Sequence, residues 1–252
     1  SAASDVYKRQ ILRIASMRYK TELELKRIEE QKKCAVQKAL EFLPRDAYVG
    51  IGTGSTVNYF IEALKPYRDD LKGAVTTSKE SRERLQAAGI PVVSLNDVEA
   101  LPIYFDSADE VNEQLQMIKG QGGALLAEKI VASVASNFVC IINQDKWVKK
   151  LGVGALAVEV LPYARSSVSR RLIALGGRVE LRLGFKSESG NEILDVYDLD
   201  LSAPLEKELE INSIPGVVEN GLFAHHPANV LVIAGDEGVE IKKKGTFFKE
   251  WI

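Results

Sequence analysis

Apolar positions recur at helical spacing over residues 20–43, where Leu23, Leu25, Ile28, Ala35, Val36, Ala39, Leu40 and Leu43 form a stripe among Lys, Glu and Gln. Pro44 and Asp46 end that helix, and Tyr48-Val49-Gly50-Ile51-Gly52 reads as a short buried strand. A turn at 53–55 leads into a second helical segment at 57–64. Residues 74–76 predict a strand, 81–88 a helix capped by Gly89, and 92–93 and 103–105 two further strands. Residues 128–135 are helical in pattern, and 138–142 form an apolar, β-branched strand. Short strands alternating with helices predict an α/β, doubly wound and mostly parallel sheet.

The rhythm changes near residue 155. A strand at 156–160 is followed by a helix at 164–175, closed by Gly176-Gly177. Segments 178–183 and 192–197 read as paired strands joined through Ser189-Gly190-Asn191, followed by a helix at 205–211 and a strand at 217–223. This β-α-β-β-α-β order is the split, ferredoxin-like motif. One more apolar strand, 229–234, returns to the first sheet. The expected organisation is a Rossmann-like domain made of 17–154 and 225–252, with a smaller ferredoxin-like α+β domain, 155–224, inserted in it. Asp5-Val6-Tyr7-Lys8-Arg9-Gln10 reads as translated adapter sequence, so residues 1–16 are expected to be a non-native extension and Met17 the natural start.

The chain has 252 residues, 46% of them hydrophobic, enough for a real core in one large domain or in one medium and one small domain. Lys plus Arg number 33 and Asp plus Glu 35, so no bulk charge attracts nucleic acid and any ligand is recognised locally. Cys34 and Cys140 are read as two reduced thiols, the first near a helix face and the second in an apolar strand. No apolar run approaches the ~20 residues of a membrane span, and no leader pattern opens the chain. A cytoplasmic protein without nucleic-acid or membrane partners is expected.

Three segments carry candidate chemistry. Gly50-Ile51-Gly52-Thr53-Gly54-Ser55-Thr56 lies between a strand and a helix, where amide N–H groups and a helix N-terminus converge on an anion such as phosphate. The run lacks the Lys of the nucleotide loop, and Val57 breaks the dinucleotide fingerprint; a ligand-free tight turn would also explain it. Asp106-Ser107-Ala108-Asp109-Glu110 follows a strand directly, at the end where open α/β sheets bind ligands, although a solvated acidic turn has the same composition. No His stands near to favour a transition metal there. Lys119-Gly120-Gln121-Gly122-Gly123-Ala124 precedes Glu128, a carboxylate in the first turn of a helix that also suits a helix dipole. Together these supply a base, a cation, an acid and a phosphate cradle, the inventory for moving a proton between adjacent carbons of a sugar phosphate with neither metal nor cofactor.

At these residues the sequence resembles the ribose-5-phosphate isomerase type A family. That family has a G-x-G-T-G-S-T loop, a D-G-A-D-E segment, a K-G-G-G loop and a Glu nine residues after its Lys, and this chain has all four in order at that spacing. The likeness runs from about Lys32 to Lys242, through Glu159-Val160, Ala164-Arg165-Ser166, 214–218 and Gly221-Leu222-Phe223. It implies an aldose–ketose isomerase that interconverts ribose 5-phosphate and ribulose 5-phosphate through an enediolate, in the non-oxidative pentose phosphate pathway. It implies Glu128 as the base, Lys119 facing the oxyanion, and Asp106 and Asp109 as ring-opening and hydroxyl-orienting acids. Thr53, Gly54, Ser55 and Thr56 would hold substrate with Ser107, Ala108, Gly120, Gln121, Gly122 and Lys146, and Lys32 would reach the phosphate. A homodimer or homotetramer is implied as well.

Two departures stand out. Ser107 replaces the Gly of D-G-A-D-E, a strain of about 1 kcal/mol or more if the position needs a positive φ. Gln121 replaces the second Gly of K-G-G-G, where a side chain would narrow the pocket. Residues 152–155 also lack the prolines common there in the family, which blurs the domain boundary. The competing readings are a non-catalytic sugar-phosphate-sensing module, a coenzyme A transferase with a Glu nucleophile, and a nicotinamide-dependent dehydrogenase. Retention of both Lys119 and Glu128 argues against the first. His225 and His226 are read as surface or hinge residues, and Trp147 and Trp251 as packing or interface residues.

Overall fold

The computed structural model describes residues 22–244. The expected extension at 1–16, the start at Met17 and Trp251 lie outside the described residues. Helix α1 (Glu22–Ala39) leads to strand β1 (Ala47–Ile51), α2 (Ser55–Leu64), β2 (Leu71–Thr76) and α3 (Lys79–Ala87). Then come β3 (Ile103–Asp106), β4 (Glu110–Val111), β5 (Met117–Ile118), α4 (Leu125–Val134) and β6 (Phe138–Asn143). The next stretch is β7 (Leu156–Val160), α5 (Arg165–Ala174), β8 (Arg178–Leu181), β9 (Glu192–Tyr197), α6 (Pro204–Asn212) and β10 (Val217–Asn220). The described chain closes with β11 (Leu222–Phe223), β12 (Val230–Gly235) and β13 (Gly238–Lys243).

The central sheet has the order β13-β12-β6-β3-β1-β2. All its pairings are parallel except that of β13, which lies antiparallel on the edge. Its inner strands are apolar on both faces because both faces are covered. Val139 and Ile141 of β6 pack with α1 and α2 side chains, whereas Phe138, Cys140 and Ile142 pack with Val131 and Ala132 of α4. This is the doubly wound α/β sheet expected from the sequence. The edge strand β13 was not expected, although Val239 and Ile241 alternate with Glu240 and Lys242 across it.

A second sheet has the order β10-β7-β9-β8, every pairing antiparallel. With α5 and α6 it encloses its own core of Val158, Val160, Val168, Leu172, Leu194 and Ile211. The chain order maps onto sheet order as the split β-α-β-β-α-β arrangement does. A three-stranded sheet, β11-β5-β4, lies between the two.

Two expected strands differ from those observed. Segment 92–93 makes only the single bridge Ala74–Val92, because Pro91 has no N–H to extend the ladder. Segment 217–223 is two strands in two different sheets. The switch falls at Gly221, whose N–H donates to Ala157 O and whose carbonyl accepts from Lys119 N–H. A Cβ at Gly221 would lie 2.2 Å from Lys119 O, so only glycine permits this approach.

Candidate active site

Three loops leave the central sheet at the C-terminal ends of its parallel strands, the end at which such sheets bind ligands. The first follows β1. Gly54, at φ +117°, turns the chain into α2, so that Ser55 and Thr56 stand in its first turn, where amide N–H groups lack helical partners. Lys32 reaches over from α1 and donates to Ser55 Oγ at 2.8 Å. Thr53 Oγ1 lies 2.7 Å from Thr77 Oγ1, which fixes its rotamer. Cation, hydroxyls and the positive end of a helix therefore meet at one corner, as a phosphate requires.

Asp106 ends β3 and is fully buried. Its Oδ1 accepts from Thr53 N–H at 3.1 Å and Ser107 N–H at 2.7 Å. Its Oδ2 accepts from the Tyr104 hydroxyl and, at 2.8 Å, from Lys119 Nζ. Lys119 is itself 3% exposed and also donates to Ser107 O at 2.5 Å. Burial alone would lower the lysine pKa, but Asp106 and Glu128 outweigh it and hold the ammonium above its ordinary range. Gly52 makes this packing possible, since a Cβ there would sit 1.9 Å from Asp106 Cγ.

Helix α4 begins at Leu125, earlier than expected, which places Glu128 in its first turn with its N–H on Ala124 O. The carboxylate is 5% exposed, and its Oε2 lies 3.3 Å from Lys119 Nζ, near enough to pair in charge but outside hydrogen-bond geometry. Burial pushes this carboxyl up to about 8, against the pull of Lys119 and with a further push from Asp106. A base titrating near the working pH is the useful one for proton transfer. Asp109 is also raised, by burial first, although Gln121 N–H donates to its Oδ2 at 3.0 Å and Lys119 and Lys146 oppose the shift.

These groups line one cleft of about 380 Å³. Lys32, Thr53, Gly54, Ser55, Thr56, Ser107, Ala108, Asp109, Lys119, Gly120, Gln121, Gly122, Glu128 and Lys146 all border it, together with Asn143 and Asp145, which sequence reasoning missed. Asp106 does not: it lies behind Lys119 with both oxygens engaged. The acidic cluster thus divides into three tasks. Asp106 holds the lysine, Asp109 faces the cleft, and Glu110 turns away to accept N–H bonds from Gly152, Val153 and Gly154 at 2.7, 3.2 and 2.5 Å. Tyr104 was also missed, although its i, i+2 spacing to Asp106 puts both on one face of β3. Ser107 is not among the positive-φ residues, so it carries no left-handed strain, and its Oγ would lie 3.5 Å from a Cβ on Gly54. Gln121 is exposed and stands on the cleft wall. Among the described residues no group of three or more His, Cys, Asp or Glu converges as metal ligands do, and no helix is long and apolar enough to cross a membrane. Cys34 is exposed and free; Cys140 is buried, which raises its thiol pKa.

The profile of the ribose 5-phosphate isomerase A (phosphoriboisomerase A) family matches residues 73–238. A ribose-5-phosphate isomerase A of Neisseria meningitidis serogroup C is 54% identical over 213 residues, covering 84% of this chain and 96% of its own. One of Actinobacillus succinogenes is 52% identical over 215 residues, covering 85% and 98%. The crystal structure of ribose 5-phosphate isomerase A from Neisseria gonorrhoeae superposes with a TM-score of 0.85 at 52% identity, covering 87% of this chain and 98% of that one. A D-ribose-5-phosphate isomerase solved in complex with phospho-erythronic acid superposes with a TM-score of 0.83 at 35% identity, covering 86% and 99%. Sheet, cleft and sequence agree: the chain belongs to the ribose 5-phosphate isomerase A family of aldose–ketose isomerases, which interconvert ribose 5-phosphate and ribulose 5-phosphate.

Proposed function

We propose that Glu128 is the base that carries the proton between C2 and C1 of the open-chain pentose phosphate, while Lys119 faces the oxygen on which charge develops. The phosphate sits at Thr53, Gly54, Ser55 and Thr56, with Lys32 closing that corner and Lys146 and the 120–122 loop holding the rest of the sugar. Asp109, which faces the cleft, passes a proton to the ring oxygen as the O1 hydroxyl gives one up, and the furanose ring opens to the aldehyde. Glu128 then takes the C2 proton of the aldehyde form, and O1 and C2 share the charge of an enediolate. Lys119 stabilises that charge from inside a site already arranged for it. The O2 hydroxyl proton passes to O1, and Glu128 returns the C2 proton to C1, which leaves O2 as the carbonyl and completes the ketose. Asp106 acts through Lys119 rather than on substrate. The phospho-erythronic acid complex of the related structure supports this reading, since a phosphorylated sugar acid presents the same two anionic ends.

The observation that carries the assignment is the buried Glu128 carboxylate beside Lys119 on the cleft wall, its pKa raised toward the working range. A coupled assay of ribose 5-phosphate conversion, run with and without EDTA on the unmodified chain and on Glu128→Gln, tests it. Turnover unaffected by EDTA that collapses in the folded variant is expected; full turnover in Glu128→Gln would remove Glu128 from the role.

The same reading takes 17–154 and 225–252 as the catalytic unit and 155–224 as an inserted one, in a cytoplasmic homodimer or homotetramer.

A further inference from the structure

Arg182 lies just beyond β8, outside the cleft wall, yet it holds the loop that follows Lys119. Its guanidinium grips Asp195 of β9 at two points, Nη2 to Oδ1 at 2.5 Å and Nε to Oδ2 at 2.9 Å. Phe185 backs the cation, with its ring centre 5.1 Å away. The remaining nitrogen, Nη1, crosses to the loop and donates to Gly120 O at 3.1 Å and to Gln121 O at 3.0 Å. A planar fork held by a carboxylate is suited to this, because its donors have fixed directions.

A trans peptide sets each C=O opposite the next residue's N–H. Fixing Gly120 O toward Arg182 therefore turns Gln121 N–H the other way, where it meets Asp109 Oδ2 at 3.0 Å. Fixing Gln121 O likewise turns Gly122 N–H away from Arg182, and Gly122 lies exposed on the cleft wall. The loop has little stiffness of its own, with Gly120 at φ +112° and Gly123 at φ +72°. We propose that Arg182, oriented by Asp195, is a positioning residue that aims the peptide N–H groups of loop 120–122 at Asp109 and at the substrate. The second sheet thereby takes part in the reaction without touching the substrate. This rests on the isomerase reading of the cleft.

The test is Arg182→Met beside Arg182→Lys and Asp195→Asn, each checked for its melting temperature. Turnover and inhibition by phospho-erythronic acid and by inorganic phosphate are measured for all. Misaimed loop amides lower kcat by about 10²-fold in Arg182→Met and weaken phospho-erythronic acid by a comparable factor. Inorganic phosphate binding stays unchanged, because the Arg182 guanidinium bonds to Asp195, Gly120 and Gln121 and not to the 53–56 corner. Arg182→Lys restores only part of the loss, since an ammonium cannot hold Asp195 and both carbonyls with one planar fork. Wild-type kcat and analogue affinity in Arg182→Met, or parallel loss of phosphate and analogue binding, would overturn the proposal. If Arg182→Met does not fold, Arg182→Lys and Asp195→Asn are read by the same ratios. Absence of turnover in the unmodified chain would count against the isomerase reading, while the two inhibitors' binding still reports on the loop.

Discussion

Replacing Asp106 by Asn keeps the shape of a fully buried side chain but removes its charge from beneath Lys119. The carboxylate accepts from Thr53 N–H, Ser107 N–H, the Tyr104 hydroxyl and Lys119 Nζ, four donors and no acceptor. An amide NH2 at the Oδ1 position meets two N–H donors with a donor of its own, and at the Oδ2 position it meets the Lys119 ammonium, where the Tyr104 hydroxyl alone can turn to accept. Lys119, 3% exposed, keeps Glu128 as its one other carboxylate partner. Removing one member of a buried ion pair costs about 3–5 kcal/mol. For a chain of this size each kcal/mol shifts the melting temperature by roughly 2–4 °C, so a fall of about 6–20 °C is expected. The repulsion that helps raise Glu128 also disappears, and Lys119 pairs with Glu128 alone, so the Glu128 pKa moves down. With Glu128 as the proposed base, turnover depends on its ionised form and rises with pH through its pKa. The acid limb of the kcat profile therefore shifts to lower pH in Asp106→Asn, while its plateau falls because the base is weaker and Lys119 less well placed. Differential scanning calorimetry and a pH-rate profile measure both. A melting temperature within 2 °C of the unmodified chain together with an unmoved acid limb would refute the reasoning.

Further outcomes follow from the same geometry. Lys32→Ala raises KM about tenfold or more and leaves kcat within a few-fold, the signature of binding made equally in ground and transition states; a collapse of kcat at unchanged KM would contradict it. Ser107→Gly lowers stability by up to about 1 kcal/mol in urea unfolding, since Ser107 has no left-handed strain to relieve; a gain would show that strain exists. Glu128 holds its proton in the folded chain to about pH 8 but loses it near 4.5 when unfolded, so its contribution to stability is present below about 4.5 and lost as pH rises to about 8. Glu128→Gln removes that loss, and the melting temperature of the variant relative to the unmodified chain climbs between pH 5 and 8; a constant difference would deny the raised pKa.

Much of the architecture was legible because the strong signals were periodic ones. β6 and β12 are apolar up to their last residues, Asn143 and Gly235, a run that a sheet covered on both faces tolerates, and the β-α-β-β-α-β order of 156–223 could be read from its strand and helix patterns and the turns between them. The two-residue strands β4, β5 and β11 were hidden because a period cannot be read from two positions. Gly221 looked like part of a strand because its role depends on Lys119, about a hundred residues earlier. At the cleft, the glycine loop, Lys119 and Glu128 announced themselves by residue type and spacing. The division of labour among Asp106, Asp109 and Glu110 did not, since composition cannot say which of three neighbouring acids faces solvent, lysine or a row of amides. Arg182 and Asp195 were invisible for a related reason: an ion pair between a strand and the residue just beyond its hairpin partner is commonplace, and only the carbonyls it also binds give it meaning.

The most direct test of the account is the fate of the C2 proton. The unmodified chain and Glu128→Gln are incubated with ribose 5-phosphate in heavy water, and deuterium at C1 of the ketose and C2 of the aldose is followed by NMR. Deuterium is expected to enter at both carbons with the unmodified chain, and none above background with a folded Glu128→Gln that still binds phospho-erythronic acid. Deuterium entering at an undiminished rate in that variant would contradict it, and would place the base elsewhere in the cleft.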